Sequence, residues 1–302
     1  ITYSNNSLTG PWQVICATVA APNQGYPWAV PDDITNNARV RIMDNTNPDV
    51  NDTSSNNFII VGKIAMKAPV GGETWVVDTI RQINWTPTGN FSAVNITLQR
   101  AGTNLTINNS VAMPAGSNGI MQTYNYSVGD NITASAKVII TDADSNRAPY
   151  TRNESTLFNI TGKLTATLPN ASSLWYARDS LTIHPIEWWA NGTIGNVSIQ
   201  IYDGSTLRNV TNNTPTGGSG KNSGTFSSWS IPADMKTEEA YVRVVSINDT
   251  NIYNDTPVFP IRPFINVTSP GTGEALTILT SYTNKIAWNI TGNSTTDVDI
   301  RC

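Results

Sequence analysis

The residues of this chain that could do chemistry are mostly asparagines. Asn-x-Ser/Thr, the acceptor pattern for N-linked glycan with x not proline, occurs 21 times in 302 residues. Random placement of the same composition accounts for roughly a third of these. Eighteen of the acceptors are Asn5, Asn51, Asn90, Asn95, Asn104, Asn108, Asn125, Asn131, Asn153, Asn159, Asn170, Asn191, Asn196, Asn209, Asn248, Asn266, Asn289 and Asn293. At Asn84, Asn212 and Asn254 a proline follows the hydroxyl residue, which makes them poorer acceptors. Asn95 lies between Val94 and Ile96, Asn159 between Phe158 and Ile160, Asn266 between Ile265 and Val267, and Asn289 between Trp288 and Ile290. Successive side chains of a strand point to opposite faces. If the apolar flanks face a core, these asparagines face water, where a glycan is tolerated. Heavy N-glycosylation is therefore expected, with N-linked glycans and no other cofactor.

Other reactive groups are scarce. The single histidine, His184, directly precedes Pro185, and a lone histidine in a β-rich turn reads as structural. Without it no Ser-His-Asp arrangement can be assembled, so the chain is not expected to be an enzyme. Asp142-Ala143-Asp144-Ser145-Asn146 alternates oxygen ligands like the start of a calcium loop. It lacks the central glycine and distal glutamate of an EF-hand. Asp142, Asp144 and Asn146 are thus a weak calcium candidate, with an Asx-rich turn the better reading. The run Gly217 to Gly220 has no phosphate-loop lysine. Trp188-Trp189 would put one ring outside the core, where it could stack on a sugar or cover an inter-domain joint.

The elements that must position these groups are strands. Apolar residues alternate with polar ones along Val94-Ile96-Leu98, Val197-Ile199-Ile201 and Phe158-Ile160, the period of two of a half-buried strand. Turn residues such as Gly71-Gly72, Pro87-Thr88-Gly89 and Asp203-Gly204 punctuate them. About seven short strands per hundred residues suggest antiparallel β-sandwiches of immunoglobulin or fibronectin type III character. Charged residues are 13% of the chain and net charge is −4, which gives no electrostatic footprint for nucleic acid or an anionic membrane. No apolar run is long enough to span a bilayer.

The sandwiches repeat. Pro69, Pro169 and Pro270 open successive units, and Trp85, Trp188 and Trp288 mark the second strand of each. Val94–Leu98, Val197–Ile201 and Val298–Cys302 mark the third. Trp28, Tyr126 and Trp229 match in the second half, as do Val40-Arg41-Ile42, Val138-Ile139-Ile140 and Val242-Arg243-Val244, and Phe58, Phe158 and Phe259. Trp75, Trp175 and Leu276 are expected to close one end of each core. A period of this size means an array of similar domains. The expected division is all-β: residues 1–62 a C-terminal half-sandwich, 63–162 and 163–263 complete repeats, and 264–302 an N-terminal half-sandwich. Counting places Cys302 at the position of Leu98 and Ile1 at that of Gln99, so both ends are expected to be cut after the third strand.

Two stretches resemble a known module. Ala68-Pro69-Val70-Gly71-Gly72-Glu73-Thr74-Trp75, with Ile83-Asn84-Trp85-Thr86 and Val94-Asn95-Ile96, is similar to the Ig-like repeat of Ser/Thr-rich, yeast cell-wall-synthesis (Kre/Knh-type) surface proteins. Trp28-Ala29-Val30-Pro31, Arg39–Asp44 and Asn57–Ile60 match its later half. That family also occurs in tandem in bacterial and archaeal surface proteins. The resemblance implies an extracellular, non-catalytic surface module, and with so many acceptors an archaeal cell-surface protein.

A half-sandwich exposes apolar faces and strand edges. Either covalent neighbours complete each half, or the C-terminal half of one copy docks on the N-terminal half of the next and propagates head to tail. Cys302, in core-facing register with Val298 and Ile300, and Cys16, on the apolar stretch Trp12-Gln13-Val14-Ile15-Cys16, would then fall in one composite sandwich and could form a disulfide between units in the oxidising exterior; two buried free thiols are the other reading. The functional expectations are a structural subunit of a glycosylated filament, sheath or surface layer; an adhesin or stalk module binding cell-surface glycans or another cell; or a non-catalytic accessory region of a secreted enzyme.

Overall fold

The computed structural model describes the chain except residues 21, 178–183, 217–219, 279, 282, 284–285, 292–297 and 299–302. Among the described residues the regular structure is β, apart from one short 3-10 turn at Ser7–Thr9. The chain falls into two compact units, one of residues 1–75 and 79–160, the other of 76–78 and 161–302. No helix among the described residues is long and apolar enough to cross a membrane.

In the first unit the complete repeat is a two-layer antiparallel sandwich. One layer orders Gln122–Ser127, Ile80–Thr88 and Lys63–Ala68. The other orders Thr103–Ala112, Ala93–Arg100, Thr133–Asp142, Phe158–Thr161 and Thr74–Val76, with Arg152–Glu154 added beside Thr133–Asp142. The alternation read from the sequence fills the space between them. Ile83 and Trp85 come from one layer, and Val94, Ile96, Leu98, Val138 and Ile140 from the other, all fully buried. Each such side chain contributes about 1.5–3 kcal/mol on leaving water. At one end Trp75 packs on Phe158 with ring centroids 4.4 Å apart.

The second unit repeats this plan. Lys163–Leu168, Ile186–Asn191 and Lys221–Phe226 form its smaller sheet. Trp175–Tyr176, Phe259–Arg262, Thr237–Ser246, Asn196–Tyr202 and Leu207–Pro215 form the larger one. The strand Trp175–Tyr176 pairs in parallel with Phe259–Arg262, Trp175 standing opposite Ile261. Trp188 takes the role of Trp85, and its indole lies against Gly224, where an added Cβ would approach Trp188 Cε2 to 2.1 Å. His184 is buried with its ring 5.0 Å from that of Trp175, so it belongs to the core of this end.

The half-units use the same registers. In the first complete repeat Met66 faces Trp85, with an irregularity before Ala68 and Asn84 pair. In the second, Ala166 faces Trp188, with the same slip before Leu168 and Glu187. In the C-terminal half, Val267 faces Trp288, again with the slip before Ser269 and Ala287. The peptide bonds preceding Pro69, Pro169 and Pro270 are all cis. At the other end of the chain, Thr2–Ser4 pairs with Thr35–Met43, Tyr3 opposite Val40. Leu98 opposes Val138 in the complete repeat. Tyr3, not a residue before Ile1, therefore holds the place of Leu98. The count that put Ile1 at Gln99 is off by three residues because the first unit's connection between these two strands is that much shorter.

Candidate functional site

Two unfinished faces stand out, one in each unit. On the strand Thr35–Met43 the alternation aligns Ala38, Val40 and Ile42. Their counterparts, Ala136, Val138 and Ile140, and Ala240, Val242 and Val244, are all fully buried. Here Ala38 is buried, Val40 is half-buried, and Ile42 is 59% exposed. The buried part is a small cluster of Tyr3, Ala38 and Ile60 with Ile15, Trp28, Val40 and Phe58 packed on it. Beside Ile42 opens a groove of about 740 Å³ that Tyr26, Met43 and Val50 also line. The strand Phe58–Ile60 pairs with Thr35–Met43, and the segment Gly25–Ala29 holds no strand pairing in the structure.

The lip of this face is polar and fixed. The Tyr3 hydroxyl donates to Gln13 Oε1 at 2.9 Å and Asp33 Oδ2 at 3.2 Å. Burial, and then the Asp33 carboxylate, hold its proton more tightly than that of a free tyrosine. Asp33 also accepts from Asn5 Nδ2 at 2.7 Å. Next to it, Asp32 Oδ1 accepts from the Asn90 backbone at 2.9 Å, and Asp32 Oδ2 from Asn90 Nδ2 at 3.0 Å and Asn118 Nδ2 at 2.8 Å. These bonds tie the half-unit to the complete repeat it precedes. The linker itself needs Gly62, because a Cβ there would meet the Thr88 carbonyl at 2.6 Å. Gly162, one period on, meets the Asn191 carbonyl at 2.8 Å in the same way.

The second face is the two-stranded sheet Phe264–Ser269 with Ala287–Thr291. Ile286 stands where Ile83 and Ile186 are fully buried, yet it is 54% exposed. Ile265, Val267 and Ile290 are exposed too. Leu276 does not close the end of a core as Trp75 and Trp175 do, and is 47% exposed. The reason is the absence, among the described residues of this unit, of a second layer over the hairpin.

The glycan acceptors sort by this geometry. None of the twenty described acceptor asparagines is buried. Asn51, Asn90, Asn104, Asn125, Asn159, Asn170, Asn196, Asn209, Asn248, Asn266 and Asn289 are exposed, and Asn5, Asn95, Asn108, Asn131, Asn153 and Asn191 are half-exposed. Asn95 and Asn159 sit between buried neighbours, Val94 and Ile96 and then Phe158 and Ile160. Asn266 does not: both its apolar flanks, Ile265 and Val267, face water, because the opposing layer is missing. Of the proline-followed acceptors, Asn254 is engaged through Oδ1 by the Ala166 backbone at 2.9 Å, and the Asn84 carbonyl oxygen is buried. Asn293 lies outside the described residues.

The remaining candidates separate. Asp142 and Asp144 are brought together, but around a cation that the chain supplies. Arg147 Nε lies 2.7 Å from Asp142 Oδ2 and Arg147 Nη1 3.0 Å from Asp144 Oδ2. The Asn146 backbone donates to Asp144 Oδ1 at 2.8 Å, which heads the causes holding the Asp144 carboxyl below the usual range. The sequence reading missed Arg147, although its place in the same turn was visible. Among the described residues no group of three His, Cys, Asp or Glu could hold a metal. Cys16 is a half-exposed free thiol whose Sγ donates to the Thr18 carbonyl at 3.1 Å. Cys302 lies outside the described residues, as do Gly217 to Ser219. Trp188 is buried, whereas Trp189 is 41% exposed with Lys221 Nζ 5.1 Å from its ring centroid.

No family model matches the chain, and no curated protein does. Among solved structures it is similar to the fibronectin type III-like modules of Clostridium thermocellum CbhA, at 13% identity over 66% of this chain and 94% of that one, with a TM-score of 0.20. A titin A168–A169 fragment matches at 12% identity over 66% and 97%, TM-score 0.32. An ICAM-5 D1–D4 ectodomain fragment matches at 14% over 68% and 56%, TM-score 0.29. At such scores the likeness carries no argument; the strand order itself makes the chain a tandem of antiparallel β-sandwich repeats.

Proposed function

We propose that this chain is a structural protein of the cell exterior, a heavily N-glycosylated subunit or segment of a filament, sheath or surface layer. Copies associate head to tail through the open faces of residues 1–62 and 264–302. The observation that carries this reading is the exposure of Ile42 and Ile286, whose counterparts in both complete repeats are core. A contact between two different faces of identical copies does not close on itself and so propagates. The glycan acceptors on exposed strand faces, the low charge, and the likeness to Kre/Knh-type repeats of archaeal and bacterial surface proteins support the same reading. In it the chain is not an enzyme and carries no cofactor beyond its glycans.

The test is negative-stain imaging of the purified chain over a concentration series. Regular polymers that vanish on Ile42→Asp are the expected result, and a monodisperse monomer at every concentration would contradict it. A second reading, an adhesin or stalk module, has one observation in its favour: the exposed Trp189 ring beside Lys221, a surface suited to stacking on a sugar. Saturable binding of the monomer to arrayed glycans, lost on Trp189→Ala, would support it.

A further inference from the structure

We infer that the open N-terminal half-sandwich accepts a second copy's residues 264–291 in one defined register, and that the partner lends a hairpin of two strands rather than three. This deepens the head-to-tail reading and rests on it. The argument begins with the third strand. Thr2–Ser4 pairs with Thr35–Met43 as Thr97–Gln99 pairs with Thr133–Asp142. That place is filled from within the same copy. Among the described residues, no hairpin of this kind pairs with the N-terminal half, and the chain carries one folded as Phe264–Ser269 and Ala287–Thr291 in the register of the complete repeats.

The first complete repeat supplies the register for the hairpin; the second pairs Trp188 with Gly224, one residue out of step with it when Trp229 is aligned with Trp28. In residues 63–162, Gln122 pairs with Trp85, Asn84 with Thr123, and Ile83 with Tyr124. Carried one period back, Gln24 faces Trp288 of the second copy, Gly25 faces Ala287, and Tyr26 faces Ile286. In residues 163–263, Trp175 pairs in parallel with Ile261. The corresponding pair is Leu276 of the second copy and Ile60. One hairpin thus clasps both layers of the half-sandwich. It gives the unpaired Gly25–Ala29 segment a strand partner and extends the Phe58–Ile60 edge. It also covers Ile42, Ile286 and Leu276, the residues whose exposure has no counterpart in a complete repeat. Identity of the occupant follows from the same match: the hairpin has the register, the tryptophan and the proline turn that this chain's own sandwiches use, so a second copy fits without a foreign sequence.

Cross-linking tests the register. In a Cys16→Ser, Cys302→Ser background, Gly25→Cys chains are mixed with Ala287→Cys chains and oxidised, so that a bridge forms only between copies. Gly25 has open space for a side chain. Directly paired strand residues stand about 4.5–5.5 Å apart, within disulfide reach, and a two-residue slip moves them to about 7–8 Å. Bridged dimer should exceed that from Gly25→Cys with Asn289→Cys by at least about tenfold, and Ile286→Asp on the donor should abolish it. Sedimentation of the reduced mixture runs in parallel. Association with equal bridging at both positions, or more at Asn289, overturns this register while leaving the head-to-tail reading in place. Absence of association in the folded chain overturns both.

Discussion

At the residue scale, small groups decide whether large ones fit. Gly224 leaves the room that the Trp188 indole fills. Gly224→Val should overpack this site and destabilise the second unit by about 1–3 kcal/mol in urea unfolding. A second prediction concerns pH. Asp203 accepts from the backbones of Thr206 and Ser205 and from the Ser205 hydroxyl, and it pairs with Arg208 at 2.5 Å. Backbone bonding by Thr206 comes first in holding its carboxyl far below the ordinary range. The folded state therefore binds fewer protons than the unfolded one across this window. The stability this contributes is present above the usual carboxylate pKa of about 4 and is lost as pH falls toward the folded value. Thermal melts of the wild type should drop steeply below about pH 4, and Asp203→Asn should flatten that drop.

At the element scale, equivalent strands stand in different surroundings, and equivalent substitutions should part company. Ile140 is sealed between two layers, so Ile140→Asp buries an unpaired carboxylate and should cost more than about 4 kcal/mol or prevent folding. Ile42 occupies the same strand position but faces solvent. Ile42→Asp should change the monomer's stability by less than about 0.5 kcal/mol while removing association. Circular dichroism melts with sedimentation velocity on both variants would check the contrast; equal destabilisation would contradict it. The hairpin of residues 264–291 shows how far sequence reaches here. The place of its second strand was legible from Trp85, Trp188 and Trp288, because these residues recur at a fixed spacing. The exposure of its apolar residues was not, because alternation assigns faces and says nothing of whether a second layer covers them.

At the scale of the whole molecule, glycans are the predicted source of solubility for a surface with few charges. The native protein should lose a large mass on enzymatic deglycosylation. An unchanged mass would remove the glycoprotein reading. Peptide mapping should find sugar at Asn159 and Asn209, which are exposed, ahead of Asn84, whose carbonyl oxygen is buried. A separate check bears on the cysteines. A Cys16–Cys302 bridge between head-to-tail copies gives a ladder of multimers on non-reducing gels that reduction collapses to monomer; a monomer under both conditions would leave Cys16 the free thiol it is here.

The sequence by itself determined the all-β class, the period and the alternating faces of the strands that carry it. All of these follow from local alternation and from residues recurring at fixed spacing. Tertiary structure alone decided the rest. Counting put Ile1 at the place of Gln99, but pairing put Tyr3 at the place of Leu98, since a loop can shorten without disturbing the strands it joins. Asp142 and Asp144 read as an Asx-rich turn with only a weak claim on calcium, and the fold alone sets Arg147 against both carboxylates. Ile42 and Ile286 have the same residue types as their buried counterparts, and only the packing of one layer on another, or its lack, makes one a core and the other an open face.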